Sequence, residues 1–402
     1  MGVPEAIGTI CDPHKHRILR RRVNPLFSQQ AINQMAGDIQ ETITRACDLV
    51  SEKFDAQSFF RAIAGDVLST HYFGENMNLV NRPEYAQKLW HGIDFMIGQI
   101  WYLIHIPYLS SIVMKMPNVF VKISLPGFAG LIELCMRQAK KAIQRSKANS
   151  TSLKTPHNAT FFDLLMTPSQ GQESVHISQT DMLNHGLNLV AAGVDTVSIT
   201  MTVALYHILA SPEIQRQVYS ETRDATPFIR DELDSQRVRK LPYLAAVIKE
   251  TLRMYPPVPG RLPRVVPPQG ESYKGKFIPG GTIVSIMPYT IHRDPALFPE
   301  PNVFKPERWL GENTLELERA LISFSAGNRM CPGIHLAYLE IQMALATLFS
   351  RFALELDSPL PKQELDWSDL FALDLDYPIK VRVLADHWKM SDDGGTDMRV
   401  IE

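Results

Sequence analysis

Phe324-Ser325-Ala326-Gly327-Asn328-Arg329-Met330-Cys331-Pro332-Gly333 is the stretch on which the reading of this chain turns. A cysteine that serves a metal must be a thiolate, in a loop whose backbone can approach the sulfur and in surroundings that favour the anion. Gly327 and Gly333 permit such an approach. Pro332 suits the first turn of a helix whose N-terminal dipole faces the sulfur, and Arg329 adds a fixed cation. These surroundings predict a sulfur that stays deprotonated. A lone cysteine before a helix is more commonly a small buried hydrophobe. The spacing argues otherwise, because Phe, two Gly, Arg and Cys at these five positions arise by chance about once in ten thousand chains of this length or less.

Composition narrows the field around this loop. The chain has 402 residues with 41 basic and 43 acidic side chains, a formal charge of -2. Such a balance offers no basic excess for nucleic acid or an anionic membrane surface. The other cysteines, Cys11, Cys47 and Cys135, form no CxxC pair and stand near no metal-spaced histidines, which speaks against zinc or a disulfide framework and for a reducing compartment. Phosphate-loop, dinucleotide, zinc-protease and serine-hydrolase signatures do not occur. Met1-Gly2-Val3-Pro4-Glu5 does not open a signal peptide. Phe95 to Met114 is free of Asp, Glu, Lys and Arg and long enough to span a bilayer, but it carries Gln99, His105 and Pro107. It is expected to be a buried or membrane-skimming helix pair broken at Pro107.

The organisation expected is mainly α with small β-sheets (α+β), residues 1–390 forming a single domain and 391–402 a loose tail. Up to about Met254 helical periodicity dominates. The clearest helix starts at Ser178, which with Asp181 makes a capping box, and runs to about Leu209, roughly 45 to 50 Å, threaded through the core. Ser211-Pro212 starts another helix, and Leu241-Pro242-Tyr243 opens one that must stop before Pro256-Pro257. Pro256 to Pro268 is extended, and Phe277 to Ile286 reads as a hairpin of short strands around Gly280-Gly281. Pro288 to Leu310 is loop-like, and a last long helix runs from about Pro332 to Phe352.

The loop resembles the haem-binding segment of the cytochrome P450 family, written FxxGxRxCxG, with Phe324, Gly327, Arg329, Cys331 and Gly333 at its fixed positions. That resemblance implies the P450 fold, haem b as cofactor and Cys331 as the axial ligand of its iron. Three more segments agree in order and spacing. Glu250-Thr251-Leu252-Arg253, ordinarily a solvated helix pair, matches the family's ExxR. Pro306-Glu307-Arg308-Trp309 matches the segment whose Arg completes a lock with it, so Glu250, Arg253 and Arg308 are expected to hold the fold and not to touch substrate. Ala192-Gly193-Val194-Asp195-Thr196 matches the family's [AG]Gx[DE]T. There Gly193 would leave room for dioxygen and water, Thr196 would relay a proton and Asp195 would resupply it from solvent.

His16-Arg17-Ile18-Leu19-Arg20, followed by Pro25-Leu26-Phe27, resembles the helix with which the family holds haem propionates, with His16 in place of Trp. Arg20 and His16, with Arg261 and Arg329, are the propionate ligands so implied. Arg17, Arg21 and Arg22 are read as a solvated face on which an acidic electron donor could dock.

What the resemblance implies is a monooxygenase drawing electrons from NADPH through NADPH-cytochrome P450 reductase, with an apolar substrate held near Ala192, Thr196 and Val258. Members that rearrange peroxides tend to lack the acid-alcohol pair that Asp195 and Thr196 supply. Details of the motifs look most like filamentous-fungal members of secondary metabolism, whose substrates are terpenoids, polyketides or alkaloids. The family's membrane anchor and first strands have no counterpart ahead of His16, so the N-terminal part of the fold is expected to be truncated and later strands to be left with an unpaired edge. Family members sit on the endoplasmic reticulum membrane; without an anchor the chain would be cytoplasmic with peripheral membrane contact. Nucleic acid is not an expected partner.

Overall fold

The structure is a computed structural model that describes residues 6–98, 102, 106, 126–147, 159–167, 177–226, 235–312, 314–358 and 364–390. Its helices are α1 (Pro13–Val23), α2 (Gln29–Asp48), α3 (Ala56–Leu68), α4 (Pro83–Gly98), α5 (Pro126–Lys147), α6 (Phe161–Met166), α7 (Gln179–Val190), α8 (Thr196–Ala210), α9 (Pro212–Ala225), α10 (Ser235–Val238), α11 (Pro242–Met254), α12 (Pro288–Ile291), α13 (Thr314–Ala320), α14 (Ile334–Arg351) and α15 (His387–Met390). The strands are β1 (Lys53–Asp55), β2 (Leu262–Val265), β3 (Glu271–Tyr273), β4 (Lys276–Ile278), β5 (Ile283–Ile286), β6 (Phe352–Leu356), β7 (Trp367–Leu370), β8 (Ala372–Leu375) and β9 (Lys380–Asp386).

The helical body is organised on α7 and α8. Ser178 Oγ accepts the Asp181 amide while the Asp181 carboxylate accepts the Ser178 amide, so both orphan donors of the first turn are satisfied. From there 32 residues run to Ala210, through a π-helical turn at Ala191–Asp195 that sequence periodicity does not signal. In α8 apolar side chains point to every side, and Ile199, Val203, Leu205 and Ile208 are all buried. Such a helix is stable only inside the core. Among the described residues this is the one helix long and apolar enough to cross a membrane, and most of it is buried within the protein. Against it lie α3 (Phe60, Ile63), α11 (Leu244, Val247) and α14 (Leu345, Leu348), with α2 closing the other face of α14 through Ile39 and Ile43.

The sheets are small and antiparallel. β9 lies between β1 and β6, with Phe54 opposite Val381, so it ties an early strand to the C-terminal region. β2 pairs with β5, β3 with β4, and β7 with β8. The expected hairpin from Phe277 to Ile286 is therefore corrected. Residues 276–278 turn back onto 271–273 through Lys274 (φ 48°) and Gly275 (φ 74°), and 283–286 instead reaches back to 262–265. Two consecutive residues at positive φ make the tight turn whose twist suits a hairpin. Among the described residues β2 and β5 pair only with each other, and Val265, Ile283 and Ile286 stand exposed at 67 %, 70 % and 58 %. The last long helix starts two residues later than expected, at Ile334, with Gly333 as its cap. Most of the charge-free stretch from Phe95 to Met114, including Pro107, and the tail 391–402 lie outside the described residues.

Candidate active site

The cysteine loop is held by its own backbone. The Cys331 amide donates to the Phe324 carbonyl at 2.9 Å, and the Met330 amide to the Gly327 carbonyl at 3.0 Å. Gly327 takes φ 70°, the left-handed region open to glycine, while Ser325 enters the same region at φ 61° as a β-carbon residue. Gly333 is conformationally ordinary (φ -85°). Its amide donates to the Cys331 sulfur, and a Cβ there would stand only 3.9 Å from Sγ. Phe324 packs its ring on Tyr338, with centroids 5.3 Å apart.

Basic side chains converge on this loop. Asp12 caps α1 by accepting the amides of His14 and Lys15, and the helix then presents His16 and Arg20 one turn apart on one face. Arg20 Nη1 donates to the Met330 carbonyl at 3.0 Å, and Arg329 Nη1 donates to Ile10 O at 2.7 Å. Arg264 Nη2 reaches Ser325 Oγ at 3.5 Å, at the limit of a hydrogen bond. Among the described residues none of these three guanidinium groups forms an ion pair with a carboxylate. His16 is buried, and burial first, then the charges of Arg329 and Arg20, push its pKa down to about 4. Burial and the charge of Arg264 likewise lower Arg329.

A cluster of cations lacking counter-ions beside a half-buried thiol suits a ligand with carboxylates at one edge and a soft metal at its centre, as haem has. Two expectations change. Arg261 is exposed ahead of β2, and the arginine of this segment that reaches the cysteine loop is Arg264, whose signal was the third position of Leu262-Pro263-Arg264. Nor do the surroundings alone keep the sulfur ionised: burial pushes the Cys331 thiol up and outweighs the Gly333 amide and Arg20, which pull it down. Arg22, read as solvated, is half-buried and ties α1 to α6 by donating to Leu165 O at 2.7 Å.

The π turn displays the other candidate residues. Thr196 Oγ1 donates to the Ala192 carbonyl at 2.7 Å. Ala191 and Ala192 are exposed in the middle of a helix whose Val190, Val194 and Val197 are buried, so the turn opens one face of the core helix. Gly193 does not open that face. A Cβ on it would meet Leu68 Cδ1 of α3 at 2.5 Å, so on that side the glycine lets α3 pack close and a larger residue would require the end of Leu68 to shift. Asp195 points inward, 4 % exposed, with Arg61 Nε 2.9 Å from its Oδ1, and does not reach solvent itself. Its carboxyl is pushed up to about 6, chiefly by burial and against the pull of Arg61. Val258 is half-buried in the Pro256–Gly260 segment, to which the β7–β8 hairpin is fastened by the Leu373 amide donating to Pro257 O at 2.9 Å.

Glu250, Arg253 and Arg308 are brought together and sealed. Glu250 Oε1 accepts from Arg253 Nη2 at 2.8 Å, Arg308 Nε at 3.0 Å and the Lys305 amide at 2.9 Å, and Oε2 accepts from Arg253 Nε and Trp309 Nε1. Arg253 also donates to the carbonyls of His292, Pro301 and Val303. With Glu250 and Arg253 both fully buried, the surface-pair reading does not apply here. His292 Nε2 accepts the Ile322 amide at 2.9 Å and Ser323 Oγ donates to Leu252 O at 2.6 Å, which anchors the start of the cysteine loop to this lock. Trp309 and His292 are partners that motif spacing did not reveal.

Comparison with known proteins agrees with this geometry. The family model described as Cytochrome P450 matches residues 8–380. Among the similar proteins are cytochrome P450 monooxygenase aneF of Aspergillus aculeatus (36 % identical, covering 96 % of this chain and 79 % of the relative) and cytochrome P450 monooxygenase asqL of Emericella nidulans (34 %, 96 % and 81 %). A third is cytochrome P450 monooxygenase penB of Penicillium thymicola (32 %, 96 % and 88 %). The family is haem-thiolate and generally works on apolar substrates with electrons passed from NADPH by a reductase. A helical body with small antiparallel sheets, a cation-ringed cysteine loop and a match over residues 8–380 together mean that the chain belongs to the cytochrome P450 family and is a haem-dependent monooxygenase.

Proposed function

We propose that the chain hydroxylates or epoxidises an apolar secondary metabolite, a terpenoid, polyketide or alkaloid, with Cys331 as the residue whose thiolate would hold the iron of haem b. The observation that carries the site assignment is the set of guanidinium groups of Arg20, Arg264 and Arg329, without a carboxylate partner among the described residues, around the Cys331 loop, with the imidazole of His16 beside them. Arg20, Arg264 and Arg329 would take the propionate carboxylates, with neutral His16 as a further donor. Bound haem supplies the iron chemistry of dioxygen activation.

The chain's own residues supply position and protons. Thr196 holds its hydroxyl on the open face of the π turn, back-bonded to Ala192, and passes a proton when that bond is exchanged. Asp195, buried beside it, is the store from which the proton comes. Ala192 and Val258 line the substrate side, and both are apolar, as a hydrocarbon substrate requires. Glu250, Arg253 and Arg308 keep the loop in register. The secondary-metabolite class is supported by similarity to proteins of Aspergillus, Emericella and Penicillium. The finer partner and location, NADPH-cytochrome P450 reductase at the endoplasmic reticulum membrane, rest on the family resemblance.

Reconstitution with such a reductase, NADPH and isotopically labelled dioxygen, against a panel of fungal terpenoids, polyketides and alkaloids, tests the proposal. One labelled oxygen atom in a product is expected; products carrying no label from dioxygen would overturn it.

A further inference from the structure

Arg61 and Leu68 stand two turns apart on one face of α3, and both meet the π turn, Leu68 at Gly193 and Arg61 at Asp195. Arg61 is itself 8 % exposed. Its Nε lies 2.9 Å from Asp195 Oδ1 without hydrogen-bond alignment, while Nη1 and Nη2 donate to the two oxygens of Asp94 on α4 at 3.1 and 2.7 Å. Its guanidinium lies 5.9 Å from the Trp90 ring centre. The Asp94 side chain is half exposed, and Asp374 on β8 adds a third negative charge that acts on both Arg61 and Asp195. One buried cation is thus shared among three carboxylates, of which only Asp195 is sealed from solvent.

We propose that Arg61 is the positioning residue for proton supply through Asp195. Its Nε holds the carboxylate against the π turn, and the fork it shares with Asp94 sets how much of its charge Asp195 feels. The proposal rests on the reading of Asp195 as the proton store for Thr196. In that step the Asp195 carboxyl gives its proton toward the Thr196 hydroxyl, is left as a carboxylate against Arg61, and regains a proton from water admitted at the open face of the π turn, since the buried carboxyl does not meet solvent directly. Arg61 stays charged throughout and carries no proton itself.

The magnitudes suit this division of labour. Burial raises the affinity of so enclosed a carboxyl for its proton, Arg61 is the cation that opposes it, and Asp94 and Asp374 push the same way as burial. The balance leaves Asp195 exchanging its proton at about 6, close to where a proton carrier is most useful.

The test is infrared difference titration of the haem-loaded protein, with the protonated-carboxyl band assigned by Asp195→Asn, alongside the pH profile of coupled turnover. The wild-type midpoint is expected at about 6. Arg61→Gln should raise it by about one unit or more, Arg61→Lys by less, and Asp94→Asn should lower it, the turnover profile moving the same way each time. A merely structural role would not give opposite shifts for Arg61→Gln and Asp94→Asn. Because Asp94 is half exposed, its variant keeps the test decisive if Arg61→Gln fails to fold. A band that stays put, or moves the same way in both variants while the haem spectrum is intact, overturns the role of Arg61 and leaves that of Asp195 standing. Unchanged coupling and pH profile in Asp195→Asn overturn the reading of Asp195 itself, and the proposal with it.

Discussion

Thr196 and Asp195 adjoin in sequence yet meet different surroundings, the hydroxyl on an open face and the carboxyl in the core beside Arg61. Thr196→Ala should therefore keep the haem spectrum but divert reducing equivalents to hydrogen peroxide. Product formed per NADPH consumed is the measurement, and unchanged coupling would remove Thr196 from proton delivery. Gly193→Ala places a methyl 2.5 Å from Leu68 Cδ1 and should cost about 1–3 kcal/mol of stability by overpacking, read by chemical denaturation. Glu340, on α14, offers a pH test. It is 2 % exposed, its Oε1 lacks a hydrogen-bond partner, and burial lifts its pKa from 4.5 to about 8. A carboxyl raised on folding binds its proton more tightly in the native state, so its contribution is full below about pH 4.5 and is lost as pH rises through about 8. Denaturation midpoints should fall across that window in the wild type and fall less in Glu340→Gln; equal slopes in the two proteins would contradict the assignment.

Among elements, the lock on α11 has the most to lose. Glu250 receives five hydrogen bonds from Arg253, Arg308, Lys305 and Trp309, so Glu250→Ala strands two buried guanidinium groups and an indole N–H. A loss of about 3–5 kcal/mol is expected, with haem content falling in parallel because His292 and Ser323 couple the lock to the cysteine loop. What could be read from sequence at this scale was what local chemistry decides. Ser178 with Asp181, Pro212 after Ser211 and Pro242 after Leu241 each mark a helix start, because a cap or an N1 proline acts within one turn. The π turn was not legible, since α3 meets it with Leu68 and Arg61 from far along the chain. Gly280-Gly281 looked like the stronger hairpin signal, whereas Lys274-Gly275 makes the two-residue turn and Gly281 serves the contact of its amide with Val266 O. That Arg264, and not Arg261, meets the cysteine loop was not legible for a related reason: which arginine of the segment faces the loop is set by the pairing of β2 with β5.

At the scale of the whole molecule, the helical body is enclosed while the β2–β5 ribbon presents Val265, Ile283 and Ile286 to solvent, and among the described residues the outer edge of each strand has no partner strand. Such an edge invites pairing with other chains. Replacing Val265 and Ile283 by Thr should raise the soluble fraction of expressed protein without lowering its melting temperature, and a matching drop in stability would mean that these side chains are covered. The site, by contrast, draws on α1, the β2 segment and the cysteine loop at once, so its integrity reports on the assembled molecule. The reduced carbon monoxide difference spectrum of the purified chain, compared with Cys331→Ala, tests the account most directly. The account predicts the red-shifted thiolate-type band in the wild type and its loss in Cys331→Ala; haem bound without that band in the wild type, or the band persisting in Cys331→Ala, would contradict it.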